Sequence, residues 1–317
     1  MLFLSESDVR QLFSLEDALA AVEEVTALQN EGKAMNHPRQ RLRMRNGFFH
    51  SMMAAIPAWG VFGGKVYTTF RGRTEFFVYL YSAEDGTLLS VMQAETLGQL
   101  RTGAASAVAT KRLSREDSSI LGMVGSGFQA EAQLRAICAV RPIRKVLVFS
   151  RSREHCDQFV QRMNAITKAE VLTVTNAEEA VRKADIVVSA TTSREPVVLG
   201  AWLREGQHLN ATGGNMLVRR EIDEEAVERC DVLVVDSLEQ AKVECGEFLP
   251  SLEKGRLRWD QVHELHETVS RNFRSSEKLI TLFKSHGIAA WDVASARAVY
   301  RKARKQKVGR EVVIPTP

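Results

Sequence analysis

The sequence predicts an α/β protein, with a doubly wound parallel sheet joined to a second, α+β domain. Two observations predict it. From residue 117 onward short apolar strands alternate with helical segments, the pattern of a parallel sheet covered on both faces. Before that point the chain reads as helices followed by antiparallel hairpins. With 317 residues, 44% of them hydrophobic and 26% charged, the chain can bury two ordinary cores.

The elements follow in order. Ser14 is an N-cap with Asp17 three residues on, and Leu15, Ala18, Leu19, Val22, Val25 and Leu28 recur at helical spacing until Gly32. Residues 40–45 alternate strictly, and Asn46-Gly47 marks a two-residue turn before FFHSMMAAI. FFVYLYS and LLSVMQA form a second hairpin around Asp85-Gly86. SILGMVG, KVLVFS, EVLTVT, DIVVSAT, HLNATG and DVLVVDS are the strands of the parallel sheet. QAEAQLRAICAV, EHCDQFVQRMNAI, NAEEAVRKA and EEAVERC are its helices. DVASARAVYRKARKQ is a final helix with Val293, Ala296, Val299 and Tyr300 on one side, and the tail after Arg301 reads as basic and solvated.

Composition narrows the function. A formal charge of +4 favours small anions but is too diffuse for nucleic acid. No apolar run reaches the ~20 residues that span a bilayer, and the first residues lack the pattern of a signal peptide. Cys138, Cys156, Cys230 and Cys245 include no CxxC, so free thiols in a reducing cytoplasm are expected.

The sharpest motif is Gly125-Ser126-Gly127-Phe128-Gln129-Ala130, a GxGxxA between a strand and a helix. Gly125 allows the tight turn, Gly127 lets backbone approach a pyrophosphate, and Ala130 lets helix and sheet pack closely. The helix N-terminus adds NH groups and a positive dipole end. With the βαβ units around it, this is a Rossmann dinucleotide fingerprint; a tight turn without a ligand is the alternative. An NAD site usually carries an acid about 20 residues downstream. Here the chain reads Ser150-Arg151-Ser152-Arg153, which suits a ribose 2′-phosphate, so NADP(H) is expected with NAD(H) possible.

Upstream, Arg39, Arg41, Arg43 and Arg45 occupy alternate positions and would share one strand face, which also fits a solvated sheet. Lys65 follows Gly63-Gly64, where backbone can approach a ligand, and Arg101-Thr102-Gly103 opens a helix-like segment. These suggest an anion site.

At this point the sequence resembles the ornithine cyclodeaminase/mu-crystallin family. The resemblance rests on GGKVYTTF, RTGAASAVATKRL, GSGFQA, SATTSREPVV, LNATGGN with REID, VVDS and FKSHGIAAWDVASARAVY, spread from about residue 38 to 303. It implies a substrate and dimerisation domain of residues 1–115 and 288–317 around a Rossmann domain of residues 116–287. It also implies a homodimer paired through the non-Rossmann sheet. Family activities are ornithine or lysine cyclodeamination, alanine dehydrogenation and ketimine reduction. Arg41, or Arg39, matches the first carboxylate-binding arginine, Lys65 the active-site lysine and Arg101 the second arginine. Thr102, Ala190, Thr191 and Thr192, from the family-like segments, join the dinucleotide set. Where the cyclodeaminases and alanine dehydrogenases carry Asp, this chain has Asn215, which resembles the ketimine reductases.

The expected activity is therefore NADPH-dependent reduction of a small carboxylate-bearing α-imine. Cyclodeamination with bound NAD, amino-acid dehydrogenation and a non-catalytic NADP-binding role are the alternatives. Arg41 and Arg101 would clamp the carboxylate. Lys65, its pKa lowered by nearby arginines, would protonate the imine. Asp292 reads as a helix N-cap before it reads as part of a site. His263 and His266 lack metal-ligand register and read as surface residues of an amphipathic helix, with no metal expected.

Overall fold

The computed structural model describes residues 1–273 and 276–313. It divides into two compact units, Met1–Ala104 with the chain from Ile288 onward, and Ala105–Gly287. The α/β class expected from the sequence is what the strands show.

The first unit begins with β1 (Leu2–Leu4), α1 (Glu6–Leu12) and α2 (Leu15–Asn30). Capping boxes start both helices, Ser5 with Asp8 and Ser14 with Asp17, each satisfying two backbone amides. Strands β2 (Met35–Asn36), β3 (Gln40–Met44), β4 (Gly47–Ile56), β5 (Val61–Phe70), β6 (Arg73–Ser82) and β7 (Leu88–Gln93) follow, then α3 (Glu95–Leu113). The sheet runs β1-β7-β6-β5-β4-β2, with β3 also on β4. Met44 faces Gly47, so the turn residues are Arg45 and Asn46, one place earlier than the Asn-Gly signal suggests. Phe70 faces Arg73 across a second tight turn at Arg71-Gly72, a hairpin the sequence reading did not mark.

Antiparallel partners share a face. The register puts Arg41, His50, Met52, Lys65, Tyr67, Phe76 and Val78 on one side. Leu42, Met44, Met53, Phe62 and Phe70 stand on the other and are exposed.

The second unit holds β8 (Ile120–Val124), α4 (Phe128–Val140), β9 (Lys145–Phe149), α5 (Arg153–Ile166), β10 (Glu170–Thr173), α6 (Ala177–Lys183) and β11 (Ile186–Ser189). It continues with β12 (His208–Ala211), α7 (Glu224–Arg229), β13 (Val232–Val235), α8 (Leu238–Glu244), α9 (Leu249–Glu253), β14 (Val262–Glu264) and β15 (Thr281–Lys284). All eight strands are parallel, in the order β10-β9-β8-β11-β12-β15-β13-β14. The order reverses between β8 and β11, which is where such sheets bind ligands. His263 therefore lies in a strand and not on a helix, tilted against Phe273 at 4.5 Å, while His266 contacts Glu264 at 2.7 Å.

The last turns of α3 belong to this second unit, so the boundary comes earlier than residue 115. Asn210 donates to Thr110 Oγ1 at 3.0 Å, and Arg141 donates to the carbonyls of Thr110, Lys111 and Ser114, closing the helix C-terminus.

The chain returns to the first unit as α10 (Ala289–Gln306), packed on α2 and on β4, β5 and β6. Its N-cap is Ile288, and Asn36 Oδ1 accepts from the Ala290 amide at 3.1 Å. Asp292 is thus inside the first turn and caps nothing. The tail after Arg301 is not simply solvated: Ala303 is buried, and Arg310–Glu311 pairs antiparallel with β1. Residues 314–317 of that tail lie outside the described residues. No described helix is long and apolar enough to cross a membrane, and the four cysteines are free thiols.

Candidate active site

Lys65 is set by register. It faces Met52 across β4 and Val78 across β6, on the side covered by α10, and it is only 5% exposed. Its ammonium donates to Asp292 Oδ1 at 3.3 Å and lies 4.9 Å from the Phe76 ring centroid. Arg101, from α3, donates its Nε to the same oxygen at 2.9 Å. A Cβ at Gly98, one turn before Arg101, would lie 3.0 Å from Lys65 Nζ, so a residue without a side chain makes room there for the ammonium.

Burial lowers the Lys65 pKa to about 8, with Arg101 and Arg39 adding to the shift and Asp292 opposing it. The direction is the one expected from the sequence. The cause differs, because desolvation outweighs the arginines. Arg101 Nη1 and Asp292 Oδ2 are buried without hydrogen-bond partners among the described residues. A buried guanidinium edge lacking an acceptor suits a carboxylate ligand.

The basic alternation divides. Arg39 is buried, with Nε 3.3 Å from Met52 Sδ, whereas Arg43 and Arg45 are exposed. Arg41 is half-buried opposite His50. Burial, Arg41 and Arg39 hold the His50 imidazole near a pKa of about 4, and its ring stacks on Tyr67 at 4.0 Å. Arg39, the alternative to Arg41, is the one that presses on Lys65. The glycine pair Gly63-Gly64 serves strand packing rather than a ligand. A Cβ on Gly63 would strike the Tyr79 carbonyl, and one on Gly64 the Met52 carbonyl and the Tyr79 hydroxyl.

In the second unit the register aligns Val124, Phe149, Ser189 and Ala211, so the loops after β8, β9, β11 and β12 leave the same carboxyl edge. Gly125 has φ +109, and a Cβ there would come 2.5 Å from the Ala190 carbonyl. Gly127 caps α4, and a Cβ on it would meet nothing within 4 Å. Ser126 and Gln129 are half-buried, Phe128 is 52% exposed, and Ala130 is fully buried against the sheet. An open, amide-lined helix N-terminus at the switch point fits a dinucleotide pyrophosphate. Ser150 is half-buried, and the Ser152 hydroxyl is used as the N-cap of α5, accepting from His155 N at 3.3 Å. Arg153 pairs with Asp157 at 2.9 Å. Arg151 is exposed and makes no ion pair among the described residues.

Glu221, fully buried, ties two of these loops together. It accepts from Ser189 Oγ, Thr191 N, Thr191 Oγ1 and Gly213 N at 2.5–2.8 Å. Thr191 thus has its hydroxyl engaged, while Ala190 is half-buried and Thr192 exposed. Asn215 is half-buried in the loop after β12, next to Gly214, whose carbonyl accepts from Lys284 Nζ at 2.8 Å. Thr102 belongs to the first unit, beside Arg101 on α3, and donates to the Gly98 carbonyl. Cys245, Glu247 and His286 have metal-like spacing, but the Lys284 ammonium already sits 3.0 Å from Glu247 and burial raises the Cys245 thiol.

The sequence reading missed Glu221 and Lys284, and it ranked Asp292 as a helix cap ahead of a site residue. Each is an ordinary charged residue until folding buries it.

Comparison with known proteins places the chain in a family and matches its fold. The profile of the Ornithine cyclodeaminase/mu-crystallin family matches residues 1–307. Alanine dehydrogenase of Archaeoglobus fulgidus is 35% identical over 98% of both chains. The solved Delta(1)-pyrroline-2-carboxylate reductase of Thermococcus litoralis, in complex with NADH and L-proline, superposes with a TM-score of 0.93. It is 36% identical and covers 98% of this chain and 100% of that one. An archaeal alanine dehydrogenase dimer with bound NAD superposes with a TM-score of 0.93 at 34% identity over 99% of both chains.

Proposed function

The chain belongs to the ornithine cyclodeaminase/mu-crystallin family, and from that premise we propose that it reduces a small α-imino acid to the amino acid, preferring NADPH. It is an NAD(P)-dependent oxidoreductase of C=N and CH–NH chemistry. The direction, substrate and nucleotide are the proposal. The observation that carries it is the buried ammonium of Lys65 beside the open guanidinium edge of Arg101.

Arg101 and Arg39 hold the substrate carboxylate, by at least one bidentate contact. A dinucleotide held at the Gly125–Ala130 turn would supply the hydride for the imine carbon. Lys65 gives its proton to the imine nitrogen, so C=N gains a hydride and a proton and becomes CH–NH. Lys65 then recovers a proton from solvent. A lysine with a pKa of about 8 carries the proton at neutral pH and releases it readily.

Asn215, where an acid would pair with a substrate ammonium, supports an imine over a diamine. The similarity to a pyrroline-2-carboxylate reductase solved with L-proline supports a cyclic, carboxylate-bearing substrate. Arg151, on the loop after β9, supports the 2′-phosphate of NADPH. The likeness to an alanine dehydrogenase makes reversible amination of a 2-oxo acid the second reading. Leu42, Met44, Met53, Phe62 and Phe70 form an apolar sheet face suited to a homodimer contact. A similar protein is a dimer.

The test is NADPH oxidation, with NADH alongside, over small cyclic and linear α-imino acids. Turnover with the cyclic imines, faster with NADPH, is expected. Lys65→Ala should keep NADPH binding and lose ~100-fold in turnover. Ammonia release from ornithine without net NADPH consumption would overturn the reading in favour of a cyclodeaminase.

A further inference from the structure

One carboxylate oxygen serves two cations that come from different parts of the chain. Asp292 Oδ1 accepts from Lys65 on β5 and from Arg101 on α3, and the Asp292 side chain is fully buried in the first turn of α10. Nothing about helix capping requires an acid there, since Ile288 is the cap and the Asp292 side chain bonds no amide of its own helix. A buried carboxylate is retained only where it is paired, and among the described residues this one is paired with the two groups proposed to hold and protonate the substrate.

We propose that Asp292 is a positioning residue of the reductase site: its shared Oδ1 turns Arg101 so that Nη1 faces the ligand, and it keeps the Lys65 proton in place inside an apolar, cationic surround. The proposal rests on the imine-reductase reading. The groups acting on Lys65 are Asp292 from α10, Arg101 from α3 and Arg39 from the segment before β3, with the Tyr67 and Phe76 rings beneath it. His50 on β4 stacks on Tyr67 and is neutral above about pH 4. Of the charged groups facing it, Asp292 favours the charged lysine and both arginines oppose it, as does burial; the Tyr67 and Phe76 rings add a weaker attraction.

Two variants move Lys65 in opposite directions. Asp292→Asn keeps an oxygen for both donors but removes the charge, so the alkaline limb of kcat/KM for imine reduction should fall from about 8 to about 7 or below. Arg101→Met removes a cation and leaves Asp292 wholly to Lys65, so the limb should rise above about 8 while KM climbs. The titration of the imine itself is common to all the proteins and cannot produce opposite shifts. Dinucleotide affinity, read by fluorescence, should stay unchanged in Asp292→Asn. If that variant does not fold, the sign of the Arg101→Met shift still decides.

Limbs that stay put in both variants, or move the same way, would overturn the proposal. Were the wild type to reduce no imine, the functional reading would fall by itself. The Lys65 titration, followed by NMR of Cε-labelled lysine with Lys65→Met to assign the signal, would then test the pairing without any activity.

Discussion

Gly127→Ala separates cofactor binding from folding. Gly127 has φ −80 and ψ −166, extended backbone that alanine also adopts, and the added methyl would meet no protein atom within 4 Å. Losing a favourable cap residue costs roughly 0.5–1 kcal/mol, and the narrower unfolded ensemble offsets about 0.4–1 kcal/mol of it. Thermal stability without nucleotide should therefore change by only a few degrees or less. The same methyl stands at the amide-lined start of α4, where the pyrophosphate of the proposed dinucleotide would come close. Loss of one charge-assisted hydrogen bond is worth about 1.5–3 kcal/mol, so the Kd for NADPH should rise roughly 10- to 150-fold. Fluorescence titration with NADPH and a melting curve on the free protein give both quantities. An unchanged Kd in a well-folded variant would refute a dinucleotide at this turn. Gly125→Ala is a poorer probe, because φ +109 and a Cβ 2.5 Å from the Ala190 carbonyl disturb the fold itself.

Other outcomes follow from the same structure. Lys65, with its pKa lowered to about 8, holds its proton in about 0.9 of molecules at pH 7 and about 0.1 at pH 9. Imine reduction is supported below the pKa and lost above it, so kcat/KM should drop ~10-fold between those pH values; a flat profile removes Lys65 as the donor. Arg151→Ala should raise the Kd of NADPH ~10-fold or more and leave NADH alone, and equal losses for both nucleotides would argue against 2′-phosphate recognition. Phe62→Glu places a charge on the exposed apolar sheet face, and light scattering should report monomers if that face is the dimer contact. A dimer that persists puts the contact elsewhere.

Local patterns were legible wherever a short stretch of chain carries its own physics. Ser14 with Asp17 announces a helix start because the cap is made within four residues. The glycines of the GxGxxA turn report a backbone requirement that Gly125 meets at φ +109. The apolar runs that became β8 to β13 were readable because parallel strands are buried on both faces. Other features were not readable. The four-residue strand β15 enters the sheet between β12 and β13, and no local periodicity distinguishes so short a run. The arginine alternation announced one face but not which guanidiniums are covered; the structure buries Arg39 and leaves Arg43 and Arg45 in solvent.

The residue string alone determined the α/β class and the GxGxxA turn, because both depend on residue type and near spacing, while the candidacy of Lys65 and Arg101 came with the family resemblance. Only the folded chain decided that Asp292, 227 positions from Lys65, shares one oxygen with both cations. Desolvation was decided there as well. The lysine owes its lowered pKa chiefly to water excluded by α10 and the neighbouring strands, and no pattern of charges along a sequence encodes that loss.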